Sequence, residues 1–158
     1  MLEKSAVAYT EEEKVAFATE KNDLYRELLH QMSTKDLSAE VKDTLCALRT
    51  MGIKLAIGSS SKNTPFILER LGLADFFDAI ADGNCITNSK PHPEVFLKAA
   101  DMIALDPSVC LVVEDAKAGV EAAVAGGFDC AAIGDAKDDP RAKWHLAGFA
   151  ELVGIANA

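Results

Sequence analysis

Ile53-Lys54-Leu55-Ala56-Ile57-Gly58-Ser59-Ser60-Ser61 and Val109-Cys110-Leu111-Val112-Val113-Glu114-Asp115 decide the fold of this chain. Each is a short apolar run that stops abruptly at polar, chemistry-bearing residues. Continuous apolar runs of this length are the pattern of strands covered on both faces, as in a parallel sheet. Between and after them lie amphipathic stretches, so that from Gly52 onward strands alternate with helices, the order of βαβ units. Strands are expected near 53–58, 78–82, 109–113 and 129–133. Helices are expected near 65–72, 93–104 and 117–126, with Pro65 and Pro93 as first helical residues because a proline's missing N–H is not needed there. A last short helix is expected around Leu146 to Val153. In an open parallel sheet, groups beyond the carboxyl ends of neighbouring strands converge on one crevice.

The amino-terminal part reads differently. Thr10-Glu11-Glu12-Glu13 is a capping box, which predicts a helix with Phe17, Leu24, Leu28 and Met32 on one stripe and Tyr25 and Leu29 beside it. Ser33 to Lys35 form a break, and a second helix from Ser38 carries Val41, Leu45, Leu48 and Met51 before Gly52 ends it.

Nearly half of the 158 residues are apolar and no polar low-complexity tract occurs, which excludes a disordered chain. The net charge of −9 argues against general binding to nucleic acid or anionic membranes, yet permits a small anion held by local donors such as Lys62 and Lys90. Cys46, Cys85, Cys110 and Cys130 are too widely spaced for a zinc or redox pair and are expected as reduced, mostly buried thiols. No run reaches the ~20 apolar residues of a membrane span, and Met1 to Ser5 carry no signal core. The cytosol is the expected compartment.

Three motifs carry the chemistry. The Ser59 hydroxyl, after a buried strand, can donate to a phosphoryl oxygen while the free amides of the following turn bind anions; Ser59 to Ser61 equally fit a polar turn capped by Asn63 or Thr64. Lys90, in Ser89-Lys90-Pro91-His92-Pro93, is an ammonium on a stiff segment, suited to offsetting phosphoryl charge, or else a solvated lysine before a helix with His92 at its start. Glu114-Asp115 are adjacent carboxylates that need a counter-charge. Mg²⁺ would supply one, although Asp115 also fits the cap of the helix after it, where Gly119 lets that helix pack close to the sheet.

Together these motifs resemble the haloacid dehalogenase superfamily, and within it the β-phosphoglucomutase-like branch. The resemblance rests on Ala56 to Phe66, Phe77 to Asp82, Ser89-Lys90-Pro91 and Val113 to Gly119, and Lys21-Asn22-Asp23-Leu24-Tyr25 resembles the last helix of that branch's helical cap. It implies a Mg²⁺-dependent phosphosugar enzyme. Ser59 and Lys90 would contact the transferring phosphoryl group, Ser61, Lys62 and Asn63 the sugar's other phosphate, Lys21 and Asn22 the substrate from the cap, and Glu114 and Asp115 the metal. It also implies an α/β, Rossmann-like parallel sheet flanked by helices over 35–158, preceded by a remnant of the cap over 1–34.

One family feature is missing. No two Asp residues lie two positions apart, so the Asp-x-Asp of the family's first strand, with its nucleophile, is absent. Met1 to Lys4 read like the interior of a cap helix, as expected of a truncated product, a fragment or one half of a split protein. The chain alone is expected to be inactive; a non-catalytic remnant that binds phosphosugar or a partner chain, and a sugar-phosphate phosphatase, are the alternatives. The missing strand would lie between 53–58 and 109–113. Its gap is expected to be closed by direct pairing of those strands, or by a second copy or an N-terminal segment completing the sheet.

Overall fold

The polypeptide puts its parallel strands in two separate groups with a slot between them. This computed structural model describes residues 9–158; the expectation for Met1 to Lys4, and part of that for 1–34, lie outside the described residues. α1 spans Glu11–His30, α2 Ala39–Thr50, β1 Ala56–Gly58, α3 Thr64–Arg70, β2 Ala79–Ala81, α4 Glu94–Met102, β3 Leu111–Glu114, α5 Lys117–Ala125, β4 Asp129–Ala132, β5 Trp144–His145 and α6 Leu152–Ala156. β1 pairs in parallel with β2, with Ile57 opposite Ile80. β3 pairs in parallel with β4, and β4 with β5. This is the expected α/β arrangement of parallel strands flanked by helices.

Local chemistry sets the helix starts. At α1 the capping box forms in both directions: the Glu13 N–H donates to Thr10 Oγ1 (3.2 Å) and the Thr10 N–H to Glu13 Oε2 (2.8 Å). Three glutamates in the first turn suit the positive end of the helix dipole. Ser38 caps α2 by accepting from the Val41 N–H at 3.2 Å. Pro65 lies in the first turn of α3, and Pro93 directly precedes α4.

Two apolar clusters cover the two faces of the strands. On one face Val95, Phe96 and Ala99 of α4 and Val120 and Ala123 of α5 pack with Val112, Cys130 and Ala132. On the other, Leu48 of α2 and Leu152 of α6 pack with Ala131 and Leu146, with Val113 and Trp144 beside them. The strands lie between two helical layers.

Several expectations need correction. Direct pairing of β1 with β3 does not form, and all three residues of β1 remain half-exposed. The stripe on α1 is mostly uncovered, with Leu24 59% and Leu28 55% exposed and Leu29 alone of the helix buried. α1 meets the rest of the described chain chiefly through α3: the Arg70 guanidinium donates to the Met32 and His30 carbonyls (2.8 and 3.0 Å), and the His30 and Phe66 rings meet edge-on at 4.8 Å. The carboxyl-terminal helix lies later than expected, because Leu146 is taken up by the turn after β5, whose N–H donates to Ala132 O at 2.8 Å. All four cysteines are free, but Cys130 alone is buried, while Cys46 is exposed.

Candidate functional site

The carboxyl ends of β1 and β3 are joined by a short chain of contacts. A Cβ at Gly58 would fall 2.6 Å from the Phe96 ring, so glycine there lets α4 lie against the end of β1. Lys90 Nζ sits 4.5 Å from the centre of that ring and donates to Glu114 Oε1 at the end of β3. Glu114 in turn lies over Gly119 of α5, where a Cβ would fall 2.1 Å from the carboxyl carbon. Close helix packing at Gly119 was legible in the sequence. Its purpose is more specific: the missing side chain makes room for a carboxylate.

Lys90 and Glu114 are 18% and 8% exposed, so each removes the other's unpaired charge from a low-dielectric setting. The counter-charge that Glu114 requires therefore comes from Lys90. Asp115 is exposed, at the rim of the slot beside Gly134. It does not cap α5, whose N-cap is Ala116 with no side-chain cap bond. Among the described residues no three His, Cys, Asp or Glu side chains gather as a metal would require. With one carboxylate engaged by an ammonium and one alone, the residues present do not by themselves make a complete Mg²⁺ site, since that ion wants a near-octahedral set of oxygens.

The serine segment forms a tight turn between β1 and α3. Ser59 Oγ accepts from the Ser61 N–H (3.2 Å), Ser61 Oγ accepts from the Asn63 N–H (3.1 Å), and Thr64 Oγ1 donates to the Ser61 carbonyl (2.8 Å). The polar-turn reading thus describes the local geometry, yet an accepting hydroxyl keeps its own hydrogen to donate. Asn63 is the N-cap of α3 without a side-chain cap bond. Its Nδ2 instead donates to Asn22 Oδ1 of α1 at 3.1 Å. Asn22, next to Lys21, is thereby brought against the Ser61-Lys62-Asn63 turn. Lys62 and Lys21 are exposed, and Lys62 makes no ion pair among the described residues.

Residues that the motifs alone did not single out brace this turn. Gly83 lies under it, where a Cβ would fall 2.4 Å from the Ser60 carbonyl oxygen. Asn84 Nδ2 donates to the Lys62 carbonyl (3.1 Å) and to Asp82 Oδ2 (3.0 Å), and Asp82 is buried. The dipeptide Asp82-Gly83 is a turn signal readable in the sequence, though what it braces is not. His92 serves the start of α4, its Nδ1 accepting from the Glu94 N–H at 3.2 Å. Glu94 accepts from the Thr87 and Asn88 N–H groups, which holds its carboxyl down to about 2 and fixes the loop leading to Lys90.

Comparison with known proteins places this geometry in a family. The haloacid dehalogenase-like hydrolase family matches residues 1–133. The chain belongs to that family. It is 37% identical over 126 residues to the β-phosphoglucomutase of Bacillus subtilis (strain 168), covering 80% of this chain and 56% of the relative. It is 36% identical over 101 residues to the phosphoglycolate phosphatase of Escherichia coli (strain K12), covering 62% of this chain and 39% of that one. The chain thus spans about half the length, or less, of these curated relatives. Among solved structures, the β-phosphoglucomutase of Clostridium difficile superposes with a TM-score of 0.84 at 32% identity, over 94% of this chain and 69% of that one. The family therefore has phosphomutase and phosphatase relatives, and the parallel α/β fold is theirs.

Proposed function

We propose that this chain is the phosphosugar-binding part of a β-phosphoglucomutase-like phosphotransferase, the class that interconverts β-glucose 1-phosphate and glucose 6-phosphate. The observation that carries this is the bond between Asn22 and Asn63, which sets Asn22 of α1, the neighbour of Lys21 in sequence, against the Ser61-Lys62-Asn63 turn. A phosphate there meets the exposed ammonium of Lys62 and the second amide hydrogen of Asn63, while the sugar extends towards α1. Residues 1–34 act in this reading as part of a cap and 35–158 as the core. Ser59 donates its hydroxyl hydrogen to the second phosphoryl group, and Lys90 offsets charge beside it through its shared bond with Glu114.

Group transfer needs an acceptor that stays in place through the transition state. The sequence holds no Asp-x-Asp pair, so in this reading the chain alone binds without turning over. Mg²⁺ enters only as a weakly held ion at Glu114 and Asp115, and no step is routed through it. The cytosol is the compartment proposed. A phosphatase acting on another phosphorylated metabolite is the second reading, favoured by the 36% identity to phosphoglycolate phosphatase.

Calorimetric titration separates these readings. Glucose 6-phosphate should bind more tightly than 2-phosphoglycolate, and Lys62→Met should weaken that binding about tenfold, the loss expected for one charge-assisted phosphate contact. Equal binding of both compounds, or no effect of Lys62→Met, would contradict the phosphosugar reading.

A further inference from the structure

α1 is a 20-residue helix of which Leu29 alone is buried, so its placement beside the site rests on a few polar and aromatic contacts, chiefly with α3. At the amino end of α3, Asn63 Nδ2 donates to Asn22 Oδ1 at 3.1 Å. At the carboxyl end, Arg70 Nε donates to the Met32 carbonyl (2.8 Å) and Arg70 Nη2 to the His30 carbonyl (3.0 Å). The His30 and Phe66 rings add an edge-on contact at 4.8 Å. At the usual helical rise, Asn22 and His30 lie about 12 Å apart along α1, and Asn63 and Arg70 about 10 Å apart along α3. Contact at two separated points fixes the direction of α1 as well as its position.

The two anchors are unequal. An exposed hydrogen bond between neutral amides exchanges with water and contributes little by itself. The last carbonyls of a helix, by contrast, have no partner within it, and the helix dipole makes that end negative. A guanidinium forked across the His30 carbonyl and that of Met32 just beyond it supplies both the donors and the opposite charge. Arg70 is half-buried and has no carboxylate partner among the described residues, so this capping is where its charge is used. Just after α3, a Cβ at Gly72 would fall 3.0 Å from Thr34 Cγ2, so the chain leaving α1 is also closely seated there.

We propose that Arg70 is a positioning residue: by capping the carboxyl end of α1 it holds Asn22 on Asn63, and so gives the Ser61-Lys62-Asn63 turn its preference for a sugar phosphate over phosphate alone. Lys62 and Asn63 follow β1 and stay in place without α1, whereas the sugar meets Asn22 only while α1 is held. The ligand half of this inference rests on the phosphosugar reading; the placement of Asn22 does not.

Nitrogen-15 NMR of the intact chain reads the placement without ligand, and calorimetry reads the preference. In Arg70→Met the Asn63 side-chain amide signals should move to where Asn22→Ala puts them, with helix content by circular dichroism unchanged. Glucose 6-phosphate should then bind about fivefold more weakly, the loss of one hydrogen bond, while inorganic phosphate binds within about twofold of wild type. Arg70→Lys, which keeps the charge but not the planar fork, should fall between the two in both measurements. Unmoved Asn63 signals in Arg70→Met would overturn the proposal, as would equal weakening of both ligands, the mark of a residue that only stabilises the fold. Where Arg70→Met loses helix content, a part-way shift of the Asn63 signals in Arg70→Lys supports the proposal and no shift overturns it. If the wild type binds neither ligand while the Asn63 signals still move, Arg70 holds α1 as proposed and the phosphosugar reading is what fails.

Discussion

Replacing Lys90 with Met keeps an unbranched side chain over the Phe96 ring and removes the charge that faces Glu114. Glu114 is 8% exposed and would be left as an uncompensated anion. Removing one partner of a buried pair costs about 3–5 kcal/mol. Lys90 is 18% exposed, so water reaches the vacated position and the loss should fall at the low end, about 3 kcal/mol. With a urea dependence of about 2 kcal/mol per molar, the unfolding midpoint should drop by about 1.5 M. Glu114→Gln, which strands only the wetter partner, should cost about 1–2 kcal/mol. The double variant should return to within about 1 kcal/mol of the wild type, because no buried charge remains. Urea unfolding followed by circular dichroism on all four proteins gives the cycle. Additive single effects, or a midpoint drop below about 0.3 M for Lys90→Met, would refute a buried pair joining β3 to the loop before α4.

Gly119→Ala should destabilise by about 1–3 kcal/mol, since its Cβ would fall 2.1 Å from the Glu114 carboxyl carbon; Gly154→Ala, which meets nothing within 4 Å, should be neutral or slightly stabilising by the same urea assay. The hydrogen bonds and charge of Arg141 hold the Asp139 carboxyl at about 2, below its ordinary 3.8. A depressed carboxyl contributes stability above its unfolded value that is lost as pH falls through the folded one, so thermal melts should decline between about pH 4 and pH 2, and less steeply in Arg141→Met. Burial, with Glu114 and Asp139 nearby, pushes the Cys130 thiol up to about 11, whereas Cys46 is exposed; a thiol reagent at pH 8 should label Cys46 rapidly and Cys130 only on unfolding, which peptide mapping resolves.

What the sequence revealed follows from which forces are local. The Thr10 capping box, the Ser38 cap, Pro65 in the first turn of α3 and Pro93 just before α4 act over a few residues, and each helix starts within a residue of where they place it. The parallel strands were legible because burial on both faces leaves an uninterrupted apolar run. The partners of charged groups were not. Glu114 beside Asp115 suggests a shared cation, but Lys90, which serves Glu114, lies 24 residues away and is brought in by α4. β5 is two residues long and is fixed by its ladder to β4, so no periodicity marks it. The stripe on α1 was read correctly as a helical face, but sequence alone does not say what covers it, and within the described residues most of it stays exposed.

Phosphorus NMR of the pure chain with β-glucose 1-phosphate, a trace of the sugar bisphosphate and Mg²⁺ tests binding and turnover in one tube. The expected spectra show the sugar-phosphate resonances broadened by the wild type and sharp again with Lys62→Met, with no glucose 6-phosphate and no acyl phosphate accumulating over hours. A growing glucose 6-phosphate signal that Glu114→Gln abolishes would contradict the assignment of this chain as a phosphosugar-binding part without its acceptor, and unbroadened resonances would contradict the binding site itself.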